Sequence, residues 1–597
     1  MPPRPLARLA PLVLVAALAL APACRAQVSA TPPPVRAERG MVVAAERLAA
    51  EAGVEVMRAG GNAADAAAAT AFALAVTFPV AGNLGGGGFA VLRLPDGTAT
   101  TLDFRETAPA AATRDMYLGP DGEAVSDLSR RGHLAVGVPG AVAGLLELHA
   151  RWGRLDRAAV LAPAIRLAQR GVPLSEAEAA RLNGFAGRFA AFPATDALFG
   201  AAAAARAGRA DSTWRPGDRL VQTDLGRTLL RIRDAGRDGF YRGPTADALV
   251  DEMRRGGGLI THADLAAYRP VERAPVVGTY RGHRVLSMPP PSSGGVALVQ
   301  LLNAVEPVDL GALGLGSSAS LHLAGEAMRR AYADRAEWLG DPDFVSVPVA
   351  GLTDKAYTAR RMADFDPDRA TGSDQAAAGA APESPQTTHL SVVDADGFAV
   401  SLTTTLNGAY GSFVSVPGAG FLLNNEMDDF SAKPGTPNMF GLVGAEANAI
   451  APGKRMLSSM TPTIVEDPEG RLRLVVGSPG GGRIITTVFQ VITNVLDHGL
   501  DVQAAVAAPR VHHQWLPDVL FAEERSLPAD VEAALRARGW RVQQEGRWSR
   551  ADAIEVVYGE ARAETDPSGL ETTERRRAGR VLLGGADPRG EDVAVGW

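Results

Sequence analysis

Gln386-Thr387-Thr388-His389-Leu390-Ser391-Val392-Val393-Asp394 is the stretch on which the reading of this chain turns. Before it, Asp366 to Pro385 runs DPDRATGSDQAAAGAAPESP, rich in Pro, Ala, Gly, Ser and Asp and without apolar periodicity. Such a composition predicts a surface loop. At Thr387 the pattern switches. Thr387 to Asp394 is β-branched and partly alternating, Asp394-Ala395-Asp396-Gly397 carries turn residues, and Phe398 to Leu406 is β-branched again. That is a hairpin signal. A two-residue loop within 395–397 places Thr387 opposite a residue between 404 and 406, so Thr405 or a neighbour lies beside it. A second hydroxyl there can donate to the Thr387 oxygen.

A cut between Gln386 and Thr387 makes Thr387 an N-terminal residue. Its own α-amino group, titrating near ~7.7–8.0, then serves as the base for its hydroxyl without a histidine. The bland alternative is an ordinary core hairpin with a threonine-rich face, since threonine is common in strands.

Composition narrows the class. The chain has 597 residues, 46% hydrophobic and 21% charged, which is globular. A net charge of −7, from 60 Lys+Arg against 67 Asp+Glu, argues against a nucleic-acid partner. Arg4 and Arg8 precede an apolar run from Leu9 to Ala21 and small residues, the pattern of an export signal over residues 1–26. The run is short for a membrane span. The single cysteine, Cys24, lies in this segment; it is either removed with it or serves as a lipid acceptor. The mature chain then has no thiol, which excludes thiol catalysis, disulfides and cysteine-held metals.

Other local signals are weaker alone. Asn62 is an N-cap for a helix from Ala63 to Val76. Gly85 to Gly88 permit close backbone approach ahead of a strand from Ala90 to Leu94, but lack the Lys-Ser/Thr of a nucleotide loop. Amphipathic helices are expected at Thr223 to Ala235 and Pro244 to Arg255. Met288 to Gly295, with three prolines, is a rigid connector into a helix from Val296. Phe421 to Asn424 reads as a short strand, and Ser431 to Pro452 as a loop long enough to be a lid. Gly477-Ser478-Pro479-Gly480-Gly481-Gly482-Arg483 opens an apolar helix, Ile484 to Leu496. A helix start presents unpaired N–H groups that suit an oxyanion, although a plain strand-to-helix turn explains the glycines equally.

These signals occur together in one order. GNLGGGGF, LDFRETAP, PPPSSGG, YADRAEWLGDPDFV, QTTHLSVVD, NNEMDDFSAKPG, LSSMTPT, GSPGGGRIITT, APRVHHQWLPD and GADPRGED span nearly all the chain from about residue 36. In these motifs the chain resembles the γ-glutamyltranspeptidases, members of the N-terminal-nucleophile hydrolase superfamily. The resemblance implies an α+β fold, a four-layer αββα sandwich built from both products of self-cleavage. Those are a large subunit, 27–386, and a small catalytic subunit, 387–597, in one heterodimer.

It also implies roles. Thr387 matches the nucleophile, with Gln386 ending the large subunit, and Thr405 the threonine that bonds it. Gly480 and Gly481 match the oxyanion amides. Arg105, Ser458 and Ser459 match the groups that hold the substrate's α-carboxylate; Asn407, Glu426 and Asp429 match those around its α-amino group. Arginine suits a carboxylate by its planar fork. The expected substrates are glutathione and other γ-glutamyl compounds, the acceptors water, amino acids or dipeptides, with no metal or organic cofactor. Two other readings stand beside this one: a cephalosporin (glutaryl-β-lactam) acylase of the same superfamily, and a non-catalytic γ-glutamyl-peptide binding protein.

Three positions depart or distract. Phe440 stands where several bacterial members carry Tyr, which removes a lid hydrogen bond to Asn407. Glu426 stands where some carry Gln, making the amine pocket more acidic. His389 shares a strand face with Thr387 and invites a triad reading, which the N-terminal amine makes unnecessary. His512 and His513, adjacent on a strand, face opposite ways and are expected to be structural.

Overall fold

The β-branched run at 387 becomes the strand Thr387–Val393, and the second run becomes Ala399–Thr405, paired antiparallel with Thr387 directly opposite Thr405. The computed structural model describes residues 31–373, 387–559 and 579–597. The export segment with Cys24, and Gln386, lie outside the described residues. Residues Pro34–Trp597 form one compact unit.

The hairpin lies inside a seven-stranded antiparallel sheet. Its order is Val593–Gly596, Met41–Ala44, Thr387–Val393, Ala399–Thr405, Gly87–Arg93, Ala99–Phe104 and Val271–Arg273. A second seven-stranded antiparallel sheet runs Val35–Ala37, Arg580–Ala586, Asp552–Tyr558, Leu472–Gly477, Thr463–Glu466, His283–Ser287 and Val276–Tyr280. Alternation along each strand divides the residues between two cores. Leu390, Val392, Val400 and Leu402 pack with Phe72 and Leu74 of the helix Ala63–Thr77. Val393, Ala399, Val43 and Val91 pack instead with Ile464, Val475 and Val476 of the second sheet. Helices Gly294–Val305 and Arg483–Leu496 cover that sheet's outer face. The layers are helix, sheet, sheet, helix, the expected αββα sandwich.

Polar bonds lock the two sheets together. Ser391 Oγ donates to the carbonyl of Asp552 and Ser401 Oγ to that of Val476, both at 3.0 Å. The helix Ala63–Thr77 starts as expected: Asn62 accepts from the N–H groups of Ala64 and Asp65 in a capping box. All its residues are buried, so its alanines allow close packing on both sides.

Two expectations need correction. The strand assigned to Ala90–Leu94 begins earlier, at Gly87. A Cβ on Gly86 would lie 2.0 Å from the Thr405 carbonyl oxygen, and one on Gly88 2.4 Å from that of Thr403. The glycines are a close-approach surface under the hairpin. Phe421 to Asn424 is no regular strand; it makes only isolated bridges, Leu422 with Ser415 and Leu423 with Gly85. The Asn424 side chain replaces a ladder there: Nδ2 donates to the carbonyls of Gly85 and Gly137, and Oδ1 accepts from Gly137 N–H.

Candidate active site

The antiparallel register places the Thr387 and Thr405 side chains on one face, and both line a single cavity. Arg105, Asn407, Glu426, Asp429, Ser458, Ser459 and Gly481 line it too. Of the site residues expected from the sequence, Gly480 is not on the lining, and Gln386 is outside the described residues. Thr387 is 5% exposed and Thr405 3%. Thr405 Oγ1 accepts from Asn407 N–H at 2.7 Å, which helps hold Asn407 at a left-handed φ of 73°.

Arg105 follows the strand Ala99–Phe104 and is fully buried. Its Nη1 lies 2.6 Å from Glu426 Oε2, an ion pair without hydrogen-bond alignment, and its Nη2 donates to Asp429 Oδ2 at 2.5 Å. Glu106 is 3.8 Å from the same guanidinium. Burial opposes the charge on Arg105, but Glu426, Asp429 and Glu106 outweigh it and hold the guanidinium above its ordinary pKa. Burial also pushes the carboxyls up, Asp429 to about 6, Glu106 to about 8 and Glu426 well above the usual range, against the pull of Arg105. Both Glu106 oxygens are buried without a hydrogen bond among the described residues.

Asp428, the third acid of the same short turn, holds structure. It accepts from Ser129 Oγ at 2.5 Å and from Met439 N–H at 2.8 Å. The second bond ties down the expected lid loop. Asn438 Nδ2 adds a tether to Asp429 Oδ1 at 3.0 Å, and Gln514 Nε2 donates to the Phe440 carbonyl at 3.2 Å. Phe440 is buried on the cavity. Its ring fills the space a Gly481 side chain would take, with a Cβ there 2.6 Å from Cδ1. Phe440 contacts the site through its ring, and Asn407 Nδ2 donates to the Asn425 carbonyl.

At the start of the helix Arg483–Leu496, Gly480 and Gly481 have φ of 135° and 53°, values open to glycine. Among the described residues neither of their N–H groups has an acceptor. Tyr332 Oη donates to the Gly482 carbonyl and steadies this turn. The proline-rich connector proves structural: Ser292 and Ser293 donate to the carbonyls of Met460 and Ser458, each at 2.6 Å, and so position Ser458 and Ser459.

The histidines lie off the cavity. His389 Nδ1 meets Thr403 Oγ1 at 2.8 Å and Nε2 meets Ser391 Oγ at 3.1 Å; burial lowers its pKa to about 3. His512 bonds Thr486 and Gln514, and His513 bonds Asp518. One charged lining residue had no role in the sequence reading: Arg335, on the helix Ser318–Trp338. It sits in the YADR motif one turn from Tyr332, and that spacing was the available signal.

Comparison with known proteins agrees with this geometry. A family model described as Gamma-glutamyltranspeptidase matches residues 49–595. The glutathione hydrolase proenzyme of Escherichia coli (strain K12) is 47% identical over 543 residues, covering 90% of this chain and 92% of that protein. The acylase ACY 1 proenzyme of Pseudomonas sp. (strain SE83) is 41% identical over 520 residues, covering 86% and 89%. Among solved structures, a cephalosporin acylase from Bacillus halodurans superposes with a TM-score of 0.79 at 29% identity, covering 95% of this chain and 97% of that one. A Helicobacter pylori gamma-glutamyltranspeptidase chain matches at 45% identity, TM-score 0.53, over 55% of this chain and 93% of that one. With sandwich, paired threonines and matched length in agreement, the chain belongs to the gamma-glutamyltranspeptidase family.

Proposed function

We propose that this chain is an exported γ-glutamyltransferase and glutathione hydrolase that matures by cutting itself between Gln386 and Thr387. The observation that carries the reading is the shared cavity of Thr387, Thr405, Arg105 and Asp429. A hydroxyl pair and both signs of charge suit an amide whose acyl group is a zwitterion. An apolar acyl pocket has no use for Arg105 and Asp429 together.

Maturation begins when Thr387 Oγ attacks the Gln386 carbonyl carbon. The acyl group moves from nitrogen to oxygen, water cleaves the ester, and the Thr387 amine is freed. That leaves 27–386 and 387–597 as the two subunits, once 1–26 is removed. In turnover the amine takes the Thr387 hydroxyl proton as Oγ attacks the γ-carbonyl. The N–H groups of Gly480 and Gly481 stabilise the oxyanion. The departing amine, cysteinylglycine from glutathione, receives the proton, and a γ-glutamyl ester remains on Thr387. Water, an amino acid or a dipeptide then takes the acyl group. Arg105, Ser458 and Ser459 face the α-carboxylate; Asn407, Glu426 and Asp429 face the α-ammonium.

A second reading, a cephalosporin acylase, draws on the named acylases among its relatives and structural neighbours. One experiment separates them. N-terminal sequencing of the purified protein is expected to yield Thr387, and glutathione turnover is expected to exceed glutaryl-amide turnover and to rise with glycylglycine. Faster glutaryl-amide turnover supports the acylase; an uncut, inactive chain supports the binding protein. No described helix is long and apolar enough to cross a membrane.

A further inference from the structure

Ser549 carries two costs at one residue. Its backbone sits at a φ of 57°, in the left-handed region that side chains other than Asn and Asp seldom adopt. Its hydroxyl is buried, with the residue 4% exposed, and makes no hydrogen bond among the described residues. Alanine would remove the second cost, and glycine both. A side chain kept against both preferences points to a use for it.

Its position supplies the use. A Cβ on Gly480 would lie 2.1 Å from Ser549 Oγ and 3.2 Å from Ser549 Cβ. The hydroxyl oxygen therefore fills the space beside the Gly480 α-carbon, as the Phe440 ring does beside Gly481. The segment carrying Ser549 is fastened to the same turn: Arg483 pairs with Glu545, and its guanidinium lies 4.4 Å from the centroid of the Trp548 ring. Ser549 is not on the cavity lining, so it bears on the reaction through the turn it touches.

The peptide that joins Pro479 to Gly480 carries the Gly480 N–H. Its carbonyl end is held, since Ser478 Oγ donates to the Pro479 oxygen at 2.7 Å. In a trans peptide that bond aims the N–H the opposite way. The other end turns at Gly480, which at a φ of 135° has no side chain of its own to limit rotation. Ser549 Oγ is the atom packed there. Without it, the α-carbon gains room to shift and the N–H to swing off its aim.

We propose that Ser549 is a positioning residue for the oxyanion: it fills the space beside Gly480 and so fixes the Pro479–Gly480 peptide with its N–H aimed at the charge that develops on the γ-carbonyl oxygen. This rests on the γ-glutamyl reading above, in which Gly480 and Gly481 are the donors.

The test compares Ser549→Ala and Ser549→Gly with the unaltered protein on γ-glutamyl-4-nitroanilide, with rates taken per chain that begins at Thr387. Removing a whole oxyanion donor costs ~10²–10³ in rate and misdirecting one costs less, so kcat is expected to fall about 5–50-fold with KM within about twofold. Binding of 2-amino-4-boronobutanoate, whose tetrahedral adduct on Thr387 puts an oxygen where the oxyanion forms, is expected to weaken by a similar factor. Binding of L-norvaline, which has the same α-groups and no γ-oxygen, is expected to hold. The Tm of Ser549→Gly is expected to rise as its kcat falls, because glycine relieves the left-handed strain. Unchanged kcat overturns the proposal, as does a loss seen in KM and L-norvaline binding. A kcat loss with a lower Tm in Ser549→Gly also overturns it, since that marks a merely structural role. Should one variant remain uncut, the other decides; two uncut variants overturn the proposal, with Ser549 then serving folding or maturation. Failure of the unaltered protein to turn over the anilide would instead remove the γ-glutamyl reading itself.

Discussion

Asn438, in the loop over the cavity, donates its side-chain amide to Asp429 Oδ1 at 3.0 Å while Arg105 holds the other oxygen, Oδ2. One carboxylate thus fastens the loop and belongs to the site beneath it. Asp429→Ala is expected to lower kcat/KM on glutathione by about 10–100-fold, mainly through KM, because a hydrogen bond to a charged group is lost. Asn438→Ala, which removes only the tether, is expected to act more weakly and to expose 431–452 to proteases. Unchanged glutathione kinetics in Asp429→Ala would take that residue out of the site.

Thr387 and Thr405 separate by role. Thr387→Ala is expected to leave a single uncut polypeptide on a denaturing gel and no turnover. Thr405→Ala keeps the reacting oxygen and loses its neighbour, so slower cutting and slower turnover are expected together. Two fragments from Thr387→Ala would refute the cleavage assignment.

Glu106 sets a pH dependence of stability. Burial raises its folded-state pKa to about 8, above the ordinary carboxyl value. The folded protein therefore holds this proton more tightly than the unfolded chain. The stabilisation is complete below the unfolded pKa of about 4.3 and is lost as pH rises through about 8. Glu106→Gln cannot titrate. Its Tm is expected to fall less steeply than that of the unaltered protein between about pH 5 and pH 9. Equal slopes would show that Glu106 is already ionised across that range.

His389 is held between Thr403 and Ser391, with burial keeping the ring neutral. His389→Gln is expected to lower stability by about 1–3 kcal/mol, through unsatisfied hydroxyls and lost packing against Gly477, and to leave the shape of the pH–rate profile unchanged. Loss of an acidic limb in that profile would restore a histidine base to the mechanism.

These outcomes show how far the residues could be read in advance. The hairpin was legible because two β-branched runs flank a tight turn, which put Thr387 opposite a residue between 404 and 406; the turn holds three residues between Asp394 and Phe398 rather than the expected two, and that register falls on Thr405. The capped helix from Ala63 was legible for a similarly local reason. Arg105, Glu426 and Asp429 were named by resemblance; nothing in their spacing says that three carboxyls crowd one guanidinium, since Glu106 and Glu426 come together only when the sandwich closes. Arg335 was missed for the same reason. Its meaning depends on Ser293 and Ser459, which are joined through the bridge between Ser292 and Ser458 across more than a hundred residues. The strand start at Gly87 was missed because glycine carries no strand signal, although its lack of a side chain is what the hairpin requires there.

Thr387–Val393 lies third in its sheet, clasped by Met41–Ala44 on one side and Ala399–Thr405 on the other. Each sheet contains strands from before and from after residue 386. Severing the backbone ahead of Thr387 thus opens no seam. Each polypeptide is the other's missing ladder partner, so the two should melt in one transition and refuse to refold apart, and dissociation is denied to the mature protein as a means of control.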